Sequence, residues 1–218
     1  MNLRTTLKLT FLAFFISTAA ASAQGLMSDF MGRPVFEKRY TDIKGTPYLF
    51  EDWVEGSVKL KSGKAFDGVK LKYDQVADEL MFLDQAGKEM LFVEPVVEFT
   101  MDKKTFRIGY PATDGASPES YYEVLVEGKT ELLKRTSKKV IEEAAYNAAT
   151  KVKTIRSNES YYVTASNLSL TKVKKDKKSL LAALPDKSAE LEAYVKSNRL
   201  DLRQEQDMAK LIAYYNSL

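Results

Sequence analysis

Residues 53–74 read WVEGSVKLKSGKAFDGVKLKYD, and their period is two. Val54, Gly56, Val58 and Leu60 alternate with Glu55, Ser57, Lys59 and Lys61. After the turn Ser62-Gly63-Lys64, Val69, Leu71 and Tyr73 alternate with Lys70, Lys72 and Asp74. Successive side chains of a strand point to opposite faces, so this stretch predicts a hairpin with one oily and one wet face. Working outwards, Leu80–Leu83 is a short apolar run, and further strand-like stretches lie at Met90–Val93, Val97–Met101, Phe106–Tyr110, Tyr121–Val126 and Thr130–Arg135, then at Tyr161–Ala165 and Leu168–Val173. Turn residues punctuate these runs: Ala86-Gly87-Lys88, Asp102-Lys103-Lys104, the loop PATDGASP (111–118) and Glu127-Gly128-Lys129. Short strands at this spacing predict an antiparallel meander.

One segment breaks the pattern. Behind Ser137 as a cap, Val140, Ile141, Ala144, Ala145 and Ala148 share a helical face, which predicts a helical insertion at 137–149 or a mobile one. The tail is helical. Asp176 can cap a helix bearing Leu180, Leu181 and Leu184, which Pro185 ends. Asp186 opens a second helix with Leu191, Tyr194 and Val195 on one side. Asp201 with Gln204 resembles a capping box ahead of Met208, Leu211, Ile212 and Tyr215, spaced i, i+3, i+4, i+7. Such short helices must bury their stripes against the sheet or a partner.

The fold expected is α+β. A curved antiparallel sheet of about nine to eleven strands, open to curling into a half-barrel, spans residues 45–175. Two or three C-terminal helices at 176–218 cover one sheet face or the open end of the curve. A leader at 24–44, with strand-like residues around Val35 to Tyr40, precedes the break Gly45-Thr46-Pro47. Curvature predicts a concave apolar side as the place for a ligand.

The first 23 residues read as a secretory signal. Arg4 and Lys8 precede the apolar run LTFLAFFI (9–16), too short to span a bilayer, and small residues end in Ala21-Ser22-Ala23. Cleavage is expected between Ala23 and Gln24, giving an exported chain in the periplasm or at the cell surface. No transmembrane segment is expected in the mature chain. Neither is a lipid anchor, which would need cysteine at the place of Gln24.

Composition narrows the chemistry. At 44% hydrophobic residues the chain folds rather than staying disordered. There is no cysteine and no histidine. Disulfides are thereby excluded, and zinc, copper, haem and iron–sulfur sites lose their usual ligands, so no cofactor is expected. Serine-hydrolase triads lose their imidazole base. Residues 24–128 carry 13 basic and 19 acidic side chains, whereas residues 129–218 carry 18 basic and 11 acidic. The near-neutral total argues against nucleic acid as a partner.

The remaining candidates are few. Ser169 and Lys172 form an S-x-x-K in a strand-like run, without the partner motifs of a Ser–Lys enzyme. Glu51, Asp52 and Glu55 cluster, as do Asp74, Asp78 and Glu79, and paired carboxylates can hydrolyse glycosides without histidine. The run KVKKDKK (172–178) is the densest basic stretch, and Lys174, Lys175, Lys177 and Lys178 are candidates to meet phosphate, lipopolysaccharide or an acidic partner. Trp53 and outward-facing tyrosines are candidates to bind a sugar or an apolar ligand.

Several stretches together resemble a group of uncharacterised exported proteins of Bacteroidetes-type Gram-negative bacteria. They are Gly45-Thr46-Pro47-Tyr48-Leu49, the hairpin Gly56 to Leu83 with Asp67-Gly68-Val69 and Tyr73-Asp74, YEVLVEGKTELL (122–133), and Asp201 to Leu218 ending Tyr214-Tyr215-Asn216-Ser217-Leu218. The resemblance covers most of the mature chain, fits least at Ser137 to Arg156, and implies a periplasmic or cell-surface location. It carries no assigned activity. The leading expectation is therefore a non-catalytic cell-envelope protein that binds a protein partner or ligand. A periplasmic carrier of a lipid or other apolar molecule comes second, and a carboxylate-based hydrolase third.

Overall fold

The computed structural model describes residues 32–35, 40–144, 151–164 and 169–218; the expected signal segment and the expected cleavage point between Ala23 and Gln24 lie outside the described residues. In chain order the strands are β1 Gly32–Pro34, β2 Ile43–Lys44, β3 Val54–Leu60, β4 Ala65–Asp74, β5 Glu79–Leu83, β6 Glu89–Phe92, β7 Val96–Met101, β8 Lys104–Arg107, β9 Tyr122–Val126, β10 Leu132–Ala144, β11 Lys151–Thr164 and β12 Leu170–Val173. The helices are α1 Lys177–Ala183, α2 Ser188–Ser197 and α3 Glu205–Ser217. The architecture is α+β, a curved and largely antiparallel sheet followed by helices. The sheet is open and runs β1-β6-β5-β4-β3-β7-β8-β9-β10-β11-β12, with β2 parallel to β11. The leader is not a separate piece: β1 extends the β6 edge and β2 lies against β11. The strand-like stretch expected around Val35 to Tyr40 falls largely on residues 36–39, outside the described residues, and Val35 and Tyr40 themselves are not in strands.

The alternation in β3 and β4 does what the sequence implies. Val58, Leu60, Val69, Leu71 and Tyr73 are buried, and they join Phe82, Phe99, Met101 and Phe106 in one core. Strands β4 and β8 are three places apart, about 14 Å in a flat sheet. Yet the rings of Tyr73 and Phe106 lie 5.5 Å apart, and each packs on Phe99. The sheet therefore curls over this face. The inside of the curl is filled by the protein's own side chains, where the sequence led us to expect room for a ligand. At Gly56 the packing leaves no space for a side chain: a Cβ there would overlap the Thr100 carbonyl oxygen of β7.

The expected helix at 137–149 is a strand through Ala144; residues 145–149 lie outside the described residues. Ser137 caps nothing and stands mid-strand opposite Asn158. Two causes favour the strand. Thr136, Val140 and Ile141 are β-branched, as are Val152, Thr154 and Ile155 on the partner strand, and such side chains suit a pleat better than a helix. Pairing with β11 then satisfies the backbone over an unbroken register from Leu132↔Val163 to Ala144↔Lys151. The apolar residues at helical spacing are not a buried stripe, since Val140 and Ile141 are 38% and 39% exposed.

The helices bury their stripes on β9–β12. Leu180, Leu191, Met208, Leu211 and Ile212 pack with Leu132, Tyr161, Val163 and Val173. Asp176 caps α1 as expected, accepting the Ser179 N–H at 2.7 Å. The capping box expected from Asp201 and Gln204 is built differently. α3 begins at Glu205 with no side-chain bond from Gln204, and the Asp207 carboxylate reaches back to the Asp201 N–H at 2.9 Å. Asp201 instead closes the preceding turn by accepting the Arg203 N–H.

The end of α3 pins the β9–β10 turn. Asn216 Oδ1 accepts the Thr130 N–H at 3.0 Å, and its Nδ2 donates to the Thr130 carbonyl at 2.8 Å. Gly128 gives it room, because a Cβ there would overlap the Asn216 amide. Asn216→Ala removes both bonds from a Thr130 that is only 5% exposed. The expected loss is about 2 kcal/mol in urea unfolding, and a change below about 0.5 kcal/mol would contradict the clasp.

Candidate functional site

Curling brings together two parts of the sheet that the strand order keeps apart. β4 and β10 are five places apart, about 24 Å if flat. Nevertheless the Lys138 N–H donates to the Gln75 carbonyl at 3.0 Å, just past the end of β4. The Lys138 ammonium donates to the carbonyls of Thr46 and Tyr48 at 3.1 and 2.6 Å. Burial holds this ammonium below the ordinary lysine pKa. Beside it, Arg135 Nη2 stands 3.6 Å from Asp78 Oδ2. These contacts form a seam rather than a ladder, and a cleft of about 530 Å³ opens along it.

Register decides what lines the cleft. Along β10, Arg135, Ser137, Lys139 and Ile141 share one face. Their β11 partners Ser160, Asn158, Arg156 and Thr154 share it too, and Tyr162 brings Lys172 of β12 alongside. The opposite face of the same strands turns Leu132, Tyr161 and Val163 toward the helices. Five basic side chains line the cleft, Arg135, Lys138, Lys139, Arg156 and Lys172, against two acidic ones, Asp78 and Asp114.

The cations are unevenly satisfied. Lys172 Nζ lies 3.0 Å from Asp114, which also accepts the Tyr162 hydroxyl at 2.9 Å. Those two bonds hold the Asp114 carboxyl below its ordinary pKa. Arg156 pairs with Glu143 at 2.6 Å across the outer end of the ribbon. Among the described residues no carboxylate lies within ion-pair distance of Lys139. Arg135 Nε is buried without a hydrogen-bond acceptor among the described residues, and so is the hydroxyl of Tyr122. The chemistry on offer is anion recognition, with fixed cations over neutral donors.

No protein-family model, curated protein or solved structure matches the chain. The site has to be judged on its own geometry.

The residues singled out in the sequence lie elsewhere. Trp53 and Tyr48 share the Lys72 ammonium, 5.1 and 4.8 Å from their ring centres. Lys174, Lys175, Lys177 and Lys178 do not line the cleft. Lys175 lies over the Tyr161 ring at 5.5 Å, Lys177 pairs with Glu192 at 2.6 Å, and Lys174 and Lys178 are exposed. Only Lys172, the first residue of that basic run, reaches the site. Ser169 and Lys172 are three places apart in extended chain, which sends them to opposite faces.

Of the two acidic clusters, Glu51, Asp52 and Glu55 are exposed and do not line the cleft, whereas Asp74, Asp78 and Glu79 have structural duties. Asp74 is 1% exposed and accepts the Val76 and Ala77 N–H groups and the Tyr40 hydroxyl. Asp78 accepts the Tyr73 hydroxyl at 2.5 Å while facing Arg135, and Glu79 pairs with Arg33. Arg135, Lys139 and Arg156 were missed because they lie in or beside the segment taken for a helix. The available signal was the period-two run Leu133, Arg135, Ser137, Lys139, Ile141.

Proposed function

We propose that this chain is an exported, non-catalytic binding protein that takes an anionic ligand in the cleft between the Gln75–Asp78 turn and the β10–β11 ribbon. One observation carries the reading: strand register places Arg135, Lys139, Arg156 and Lys172 on one face of a cleft of ligand size. Export rests on the signal-like order of residues 1–23, and a secreted or periplasmic chain starting at Gln24 is its check by mass spectrometry.

The other readings have less support. An apolar carrier needs an unfilled oily interior, but Phe99, Phe106, Tyr73 and their neighbours pack against one another inside the curl. A hydrolase needs two carboxylates facing a substrate, but Asp74, Asp78 and Glu79 are engaged by backbone, tyrosine and arginine partners.

Calorimetric titration of the mature chain with inorganic phosphate and with glucosamine 1-phosphate tests the reading. Saturable binding that weakens as salt is raised is expected. Arg135→Gln should weaken it roughly 10- to 100-fold, the worth of one hydrogen bond to a charged group. No saturable binding, or binding indifferent to Arg135→Gln, would overturn the reading.

A further inference from the structure

The cleft has two cationic stations rather than one, and their spacing says what kind of anion fits. Arg135 and Lys139 are four residues apart on one face of β10, about 13 Å at the rise of a strand. Arg135 forms the inner station against Asp78, with Lys172 and Asp114 beside it. Lys139 forms the outer station with Arg156, its direct cross-strand partner.

That outer pair is the telling feature. Like charges placed directly opposite on neighbouring strands repel, so stability alone does not favour them. The Glu143 carboxylate meets Arg156 but is not within ion-pair distance of Lys139. An anion seated between the two cations would relieve the repulsion.

Between the stations the rung is neutral. Ser137 faces Asn158, and Ser160 stands beside Arg135. These side chains offer donors and acceptors but no charge, and Asp78 and Asp114 at the inner end accept hydrogen bonds. A polymer with a charge on every unit would set an anion over the neutral rung, where no cation meets it. A ligand charged at both ends and hydroxylated between them meets every rung with a matching group.

Resting on the anion-binding reading above, we infer that the cleft takes an extended saccharide with two anionic groups about 13 Å apart, Arg135 holding one and Lys139 with Arg156 the other. The anions are phosphates or uronate carboxylates, and the ledge of Ser137 and Asn158 takes the sugar hydroxyls between.

Calorimetry separates the possibilities with three probes: glucosamine 1-phosphate, a 1,4′-bisphosphorylated glucosamine disaccharide, and trigalacturonate methyl-esterified at its central unit, which leaves two carboxylates. At least one doubly charged probe should bind about 100-fold more tightly than the singly charged one, since its second contact is intramolecular. Whichever does so names the source of the charge. Lys139→Gln combined with Arg156→Gln should abolish that gain, so that in this variant the doubly charged probe binds no more tightly than glucosamine 1-phosphate does. The melting temperature of this double variant should change little, because the repulsion removed is offset by loss of the exposed Arg156–Glu143 pair. If glucosamine 1-phosphate binds and neither larger probe gains, the two-station inference fails and the anion-binding reading stands. If nothing binds, both fail.

Discussion

Replacing Gly56 with alanine is expected to cost about 3 kcal/mol, a large share of the stability of an ordinary domain. Gly56 lies in β3 between Val69 of β4 and Met101 of β7. A Cβ there meets the carbonyl oxygen of Thr100 on one side and Leu71 Cδ1, at 3.0 Å, on the other. A side chain could rotate away, but the obstructing oxygen belongs to the backbone. Relief requires β3 and β7 to move apart, which strains the ladder and the adjoining contact between the Ser57 and Thr100 hydroxyls, 2.7 Å apart. The loss falls in the middle of the principal core, beside Phe99 and Met101. Urea unfolding should show a lower midpoint with an unchanged slope. A variant within about 0.5 kcal/mol of the parent would mean that the two strands do not approach as described.

Leu211→Ala is expected to cost a similar amount, about 3 kcal/mol, by a different route. Leu211 is fully buried where α3 meets Leu132, Tyr161 and Val163. None of the three helices exceeds 13 residues, so none persists in water without that interface. Opening a cavity there weakens the docking of the tail before it touches the core inside the curl. Limited proteolysis should therefore cut the Leu211→Ala protein first between residues 174 and 204. The stacked rings of Tyr194 and Tyr214, 3.9 Å apart, should lose their near-ultraviolet dichroism in step. Cleavage elsewhere, or stability unchanged, would separate the tail from the core that it is described as completing.

The sheet was legible in the sequence wherever one face is wet. At Val54–Leu60 and Val69–Tyr73 water and core take alternate residues, and the period of two is visible. The tail was legible for the same reason at a period of three to four. At 137–144 both faces of the ribbon are largely wet, so little buried alternation marks it as a strand. Val140, Ile141 and Ala144, spaced as on one helical face, then imitated a helix. The site was less legible still. Arg135 and Lys139 look like ordinary solvated cations until β11 sets Arg156 beside them. Gln75 and Asp78 join them only because the sheet curls. Charge density along the chain drew attention to Lys174–Lys178, whereas charge density in space depends on register, which no local window contains.

The clasp made by Lys138 also bears on how the molecule is assembled. Its ammonium holds carbonyls that precede it by 92 and 90 residues, and its amide holds Gln75. A polypeptide emerging N-terminus first must leave those three acceptors to water until Lys138 has followed. Early hairpins can form as they appear, but closure of the curl waits for the second half. Such distant pairings put spontaneous refolding in the slow regime of β proteins, about milliseconds to seconds, with the cleft along the seam among the last features completed.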